Sequence, residues 1–286
     1  MRKGLLFALL VALPAPGQML VMDRATLIEY TRQNPFERFA DGRPKVPDNL
    51  LEGMRKMSSE EAWAVLQRSG YRHQWEGNWQ ILHPERKLIG RAVTAQFMPL
   101  RPDLNEVINA KARQGDLAPD QNKRVIELLQ PGDVVVVDLF GKIEYGTFVG
   151  DNLATAIYAQ TKTGGMVIDG AVRDLEGIFP MPMAAYFRGV HPTPIGEVML
   201  TGINIPIRIG GATVMPGDVV FGDREGVTFI PPHLAQKVVE YSEETRLHDE
   251  FTRMKIKEGK YRIRDTYPLN KELQKEYEEW KKMRRR

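Results

Sequence analysis

The chain of 286 residues contains no cysteine, which removes disulfide scaffolds, thiol nucleophiles, Cys-ligated zinc and iron–sulfur clusters from consideration. Any metal must bind through oxygen or imidazole. Imidazole is scarce as well: the five histidines, His73, His83, His191, His233 and His248, show no metal-ligand spacing and read as structural or surface residues. No apolar run approaches the ~20 residues that cross a bilayer, so stable membrane insertion is not expected. An excess of one charge is also missing, with 40 Lys and Arg against 37 Asp and Glu. What is present, 42% hydrophobic and 27% charged residues with 25 Gly and 19 Pro, is the composition of a globular protein of one large α/β domain or about two smaller ones.

Met1-Arg2-Lys3 precedes an apolar run from Gly4 to Leu13 and then Pro14-Ala15-Pro16-Gly17. A basic start, a short apolar stretch and small residues form the pattern of a secretory signal peptide over residues 1–17, and so predict a secreted or periplasmic protein. Cleavage there would leave 38 basic and 37 acidic residues. A nearly neutral chain is not expected to hold nucleic acid, which needs many clustered phosphate contacts.

Residues 18–44 read as a helix from Asp23 to Gln33, stopped by Asn34-Pro35, and a connector. A further helix is expected near Asp48 to Lys56, and Ser58-Ser59-Glu60-Glu61 opens another as a capping box. Leu88 to Met98 is β-rich, while Asp103 to Ala112 and Lys123 to Leu129 return to helical spacing. Pro131-Gly132-Asp133 leads into Val134-Val135-Val136-Val137-Asp138, an apolar run suited to a strand buried on both faces. A near copy begins at Pro216-Gly217-Asp218. Between them lie a buried strand at Gly165 to Gly170 and a hairpin turning at Gly210-Gly211; Gly226 to Pro231 closes the sheet region, within residues 45–231. From 232 to 286 the chain is a charged helical extension, with Leu273, Tyr277 and Trp280 as the apolar contacts of its last helix. The terminal Arg284-Arg285-Arg286 reads as a complement to that helix's dipole.

Two segments carry candidate chemistry. Gly150-Asp151-Asn152-Leu153 opens a helix after a strand, where unpartnered amides can seat a carboxylate or phosphate; equally, Asp151 or Asn152 can simply cap the helix. Arg173-Asp174 follows the buried strand ending in Asp169-Gly170-Ala171-Val172, at the strand edge where open α/β sheets bind ligands. The pair offers a planar cation for a carboxylate or enolate and an oxygen ligand for a hard metal, or forms a plain surface salt bridge.

Taken together, GDNLATA, GGMVIDGAVRD, GGATVMPGDVVFGDREGVTFIP and GDVVVVD resemble the RraA-like family over about residues 45 to 255. That family includes the class II 4-hydroxy-4-methyl-2-oxoglutarate / 4-carboxy-4-hydroxy-2-oxoadipate aldolases, and its members often carry a demethylmenaquinone methyltransferase label. GTFVGDNL is a poor match to a Gly-rich cofactor loop, which speaks against methyl transfer. The resemblance implies an α/β fold with a swivelling β/β/α-type central β structure flanked by helices. It implies a lyase dependent on Mg²⁺ or Mn²⁺ that cleaves or decarboxylates a pyruvyl-containing 2-oxo acid, oxaloacetate included. By the same route Arg173 holds the pyruvyl oxygen, Asp174 is the metal ligand, the amides of Gly150, Asp151, Asn152 and Leu153 bind the substrate carboxylate, and Asp151 contacts water. A further acid, Glu250 or failing that Glu244, is implied to come from a neighbouring subunit of a homotrimer or dimer of trimers. Family members that inhibit an endoribonuclease lack the Asp after the Arg, which this chain keeps, so an enzyme is expected over a non-catalytic binding protein. The chain departs from the pattern at Gly177, where the family has an acid.

Overall fold

The computed structural model describes residues 21–162 and 165–284; the signal peptide read over residues 1–17 and the last two arginines lie outside them. In chain order the elements are α1 (Arg24–Tyr30), α2 (Asp48–Gly53), α3 (Ser59–Arg68), β1 (Trp75–Glu76), β2 (Gln80–Leu82), β3 (Leu88–Pro99), α4 (Pro102–Gln114), α5 (Gln121–Ile126), β4 (Asp133–Thr147) and α6 (Asp151–Thr161). They continue as β5 (Gly165–Val172), α7 (Leu175–Ile178), β6 (Ala184–Val190), β7 (Val198–Ile203), β8 (Ile207–Ile209), β9 (Ala212–Val214), β10 (Val219–Gly222), β11 (Val227–Ile230), α8 (Ala235–Lys257), α9 (Ile263–Thr266) and α10 (Lys271–Arg284).

The main sheet runs β1-β11-β10-β3-β4-β5-β6-β2, with β7 added beside β3. Its centre is parallel, because α4 with α5 and then α6 cross over between β3, β4 and β5; its flanks are antiparallel. Strands β1 and β2 are separated by only three residues yet sit at opposite ends of the path, so the sheet must curl into a half-barrel. Arg188 clasps the two ends. Its Nε donates to Asp169 Oδ1 at 2.7 Å, Nη1 to the Gly77 carbonyl at 2.7 Å and Nη2 to Glu76 Oε1 at 2.8 Å, and its guanidinium lies 3.7 Å from the centre of the Trp79 ring. Asp138 sits level with Asp169 on the neighbouring strand, and burial, then the like charge of Asp169, push its carboxyl up.

Packing follows strand alternation. Val135, Val137, Met166 and Ile168 face outward under α5 and α6, against Val125, Ile126, Ala154 and Ile157. Val134, Val136 and Val167 face into the curl, where the β8–β9 hairpin supplies Ile207, Ile209 and Val214. Helices α2, α3 and α8 cover the remaining flank. Helix α3 starts on the expected capping box: Ser58 N–H donates to Glu61 Oε2 at 2.8 Å and Glu61 N–H to Ser58 Oγ at 3.4 Å. The same Glu61 oxygen accepts from Ser242 Oγ, which ties α3 to α8. Leu273 and Tyr277 of α10 are buried with Phe251 of α8, and Trp280 packs on them.

Both PGD turns need their glycine, since Gly132 and Gly217 have φ of 84° and 85°. The first delivers β4 beside β3 and the second delivers β10 on the other side of β3.

Candidate functional site

The connections leaving β4 and β5 are joined by two backbone hydrogen bonds. Phe148 N–H donates to the Ala171 carbonyl and Arg173 N–H to that of Val149, both at 3.0 Å. This zipper brings Gly150, the residue before α6, against Arg173 and Asp174. The approach is close enough that a Cβ at Gly150 would collide with Asp174 Oδ2 and lie 3.3 Å from Arg173 Nε. Glycine is required here for space, because the local φ of −105° suits any residue.

Asp174 itself has φ 57° and ψ 44°, a left-handed conformation that costs a non-glycine residue about 1–3 kcal/mol, at the low end for Asp. Its carbonyl accepts from the amides of Gly177 and Ile178, which starts α7 and holds the turn. Gly177 then packs on Asp151: a Cβ there would lie 2.6 Å from Asp151 Cβ and 2.8 Å from its Oδ2. Position 177, where the resemblance leads one to expect an acid, is therefore the one against which Asp151 rests. Any side chain at 177 would have to move that carboxylate.

Helix α6 begins with Gly150 as a cap that offers no side chain. Asp151 Oδ1 accepts from Asn152 N–H at 2.7 Å, while the amides of Asp151 and Leu153 have no acceptor among the described residues. This end of the helix retains donor capacity and the partial positive charge of its dipole.

In front of it opens a cleft of about 540 Å³, lined by Gly150, Asn152, Leu153 and Arg173 on one side. Phe97, Phe148, Ile195 and Val198 form apolar wall, and Asn109, Gln121, Asn122 and Thr147 supply polar groups. Buried Asn122 donates Nδ2 to the Phe148 carbonyl at 2.8 Å, fixing the loop before Gly150. Thr147 Oγ1 donates to the Thr193 carbonyl, and Thr193 Oγ1 lies 3.0 Å from His191 Nδ1 and accepts from Tyr145 N–H at 2.8 Å. These bonds set the Pro194–Gly196 wall. The 119–123 and 193–198 segments carry no motif in the sequence that marks them as cleft wall.

Of the residues singled out, the structure gathers Gly150, Asp151, Asn152, Leu153, Arg173 and Asp174 at one corner. Arg173 Nη1 and Asp174 Oδ2 are 3.4 Å apart, with 39% and 42% of their side chains exposed, so neither is saturated by the other. Glu250 lies elsewhere in the same chain, on α8, paired with Arg284; Glu244 accepts from Lys281 and Tyr277.

The corner suits a hard divalent cation of a particular kind. Among the described residues no group of three or more His, Asp or Glu is placed to cage a metal. Mg²⁺ commonly uses one or two carboxylates and fills its shell with water and substrate oxygens. Half-exposed Asp174 provides one such carboxylate.

The family model described as RraA-like, Aldolase/RraA, matches residues 45–229. The chain belongs to the RraA-like family. It is 27% identical over 175 residues to a Halalkalibacterium halodurans protein named "Putative 4-hydroxy-4-methyl-2-oxoglutarate aldolase", covering 60% of this chain and 81% of that one. It is 29% identical over 215 residues to Protein DlpA of Legionella pneumophila, covering 74% of this chain but only 32% of that longer protein. Among solved structures, Streptomyces coelicolor RraAS2, described as an unusual member of the RNase ES inhibitor RraA protein family, superposes with a TM-score of 0.63 at 28% identity, over 74% of this chain and all of that one. An uncharacterized Pseudomonas syringae pv. tomato protein shares the fold with a TM-score of 0.65 at 19% identity, over 82% and 98% of the two chains.

Proposed function

We propose that this RraA-like protein is a divalent-metal-dependent lyase that cleaves or decarboxylates a pyruvyl-containing 2-oxo acid, such as 4-hydroxy-4-methyl-2-oxoglutarate or oxaloacetate. The observation that carries this reading is that Arg173 and the start of α6 line one cleft, with Asp174 packed behind them against Gly150. The relative named as an aldolase supports it.

Each group has work suited to its chemistry. The Asp151 and Leu153 amides take the substrate carboxylate, where the helix dipole favours an anion. Arg173, planar and permanently charged, meets the adjacent keto oxygen, on which negative charge grows as the C3–C4 bond breaks. Asp174 would hold Mg²⁺ or Mn²⁺. When bound, that ion supplies Lewis-acid polarisation of the same oxygens. Asp151 orients a water that removes the C4 hydroxyl proton in the aldol cleavage. Decarboxylation of oxaloacetate passes through the same pyruvate enolate and needs no such base. Glu250 is assigned to the proton relay of a neighbouring subunit in a trimer or dimer of trimers, a role that requires it to exchange its Arg284 partner. Export to the periplasm or medium follows from reading residues 1–17 as a signal peptide.

Pyruvate release from both substrates, with Mg²⁺, with Mn²⁺ and with EDTA, tests the proposal. Release that requires either metal supports it, and no release from either substrate overturns it for these acids. The likeness to RraAS2 favours one other reading, a non-catalytic binding protein, which predicts no turnover under any of these conditions.

A further inference from the structure

A second cavity of about 540 Å³ shares no lining residue with the first. It opens between the carbonyl end of α1, the turn before β10 and the Pro231–His233 segment, and its lining includes Glu29, Arg32, Tyr71, Asp218 and His233. Asp218 is 2% exposed. Its Oδ2 accepts Met215 N–H at 2.8 Å, and no cation bonds to it among the described residues.

The other copy of the same turn shows what such a carboxylate takes. Asp133 Oδ2 accepts Gln130 N–H at 2.9 Å, the counterpart of the Met215 bond. Arg43 then closes on Asp133 with Nη1 3.0 Å from Oδ1 and Nη2 3.2 Å from Oδ2. One PGD turn therefore holds a guanidinium, whereas the other faces an open cavity. Burial of a carboxylate without a cation is costly, and it pushes the Asp218 carboxyl up to about 7.

We propose that this cavity binds a small organic cation, a guanidinium or primary ammonium group, with Asp218 as its counter-ion. Tyr71 lines the same cavity, with its hydroxyl 3.3 Å from His233 Nε2, and is the kind of ring on which such a cation stacks; at the end of α1 the Thr31 carbonyl and hydroxyl already accept from Arg38 at 2.8 and 2.7 Å. The other charged groups around the cavity are Glu29, exposed Arg32 and His233, whose pKa burial lowers. The site is independent of the lyase reading and stands whether or not the chain turns over a 2-oxo acid.

Isothermal titration calorimetry of the full chain with agmatine, putrescine and uncharged 1,4-butanediol tests it. Saturable binding of at least one of the two cations and none of the diol is expected. Affinity should rise between pH 6 and 8, with proton release on binding, and fall at least about tenfold in Asp218→Asn. If Asp218→Asn does not fold, proton release in the wild type and in His233→Gln decides: release in both supports Asp218 as the ionising group, and its absence from either overturns it. Unchanged affinity in Asp218→Asn, or no saturation by either cation, also overturns the proposal. So does binding gained only in Arg32→Ala, which would mean that Arg32 itself is the cation.

Discussion

Arg43 and Asp133 come from positions 90 residues apart and meet with neither side chain exposed. Arg173 and Asp174 are neighbours in sequence and meet loosely at 3.4 Å, more than a third exposed. In the first pair each guanidinium nitrogen donates to a carboxylate. Arg43 Nε donates to Asp41 Oδ2 at 2.7 Å, the fork closes on Asp133, and although burial pulls its pKa down, the carboxylates of Asp133 and Asp41 outweigh that and raise it. In the second pair the fork faces a cleft and the aspartate sits in a left-handed turn. The same two residue types thus serve as a fastening between the connector and β4 in one place and as open valence in the other. Completeness of hydrogen bonding separates the two, as expected if a buried charge must be satisfied while a binding group must not be.

The largest effect is expected from breaking the fastening. Asp133→Ala leaves Arg43 buried without its main counter-ion and should cost about 3–5 kcal/mol, read from urea unfolding; a loss under about 1 kcal/mol would mean that the pair does not hold the fold. Asp218, the buried acid without a cation, sharpens the contrast through pH. Its folded pKa of about 7 exceeds the unfolded value of about 3.9, so the folded state binds the extra proton between them. The stability linked to it is fully present below about pH 4 and is lost as pH rises through 7, by a few kcal/mol at most. His233, with its pKa lowered, works in the opposite sense as pH falls through about 6.5. The wild-type minus Asp218→Asn difference therefore isolates the carboxyl, and a flat difference between pH 4 and 8 would contradict the assignment.

At the open pair, Gly150→Ala drives a methyl into Asp174 Oδ2 and should lower kcat/KM about 10²-fold, the scale of a 1 Å misplacement. Retained activity would mean that the Asp174 position is not critical. Gly177→Ala presses on Asp151 rather than Asp174. It should cost about tenfold in aldol cleavage and less in decarboxylation, which needs no base at the C4 hydroxyl; equal losses on both substrates would remove Asp151 from the proton path.

Much of this was legible in the sequence because it is local. The Ser58 capping box, the hairpin at Gly210-Gly211, the PGD-led strands and the apolar stripe of α10 depend on residues within a few positions of one another. Strands β1 and β2 were not legible. At two and three residues they exist only because β11 and β6 pair with them, and the closure they create depends on Arg188 reaching back more than 100 positions. Strand β4 runs on past Asp138 through positive φ at Phe140 and Tyr145, a course that its apolar start does not announce. Of the cleft, the Gly150 and Arg173 side was readable from strand-end motifs. The opposite wall was not, since the 119–123 segment is tied to β7, which follows the 193–198 segment, only by tertiary contacts such as Leu200 N–H to Gln121 Oε1 at 2.5 Å.

On the proposed function the loosely paired corner, unlike the buried pair, exists for chemistry. Pyruvate release from oxaloacetate and 4-hydroxy-4-methyl-2-oxoglutarate by Asp174→Ala, beside wild type and with melting temperatures measured on the same samples, tests it most directly. The expected result is release no greater than that of EDTA-treated wild type, with stability changed by less than about 1 kcal/mol. Wild-type rates in a folded Asp174→Ala protein would contradict it.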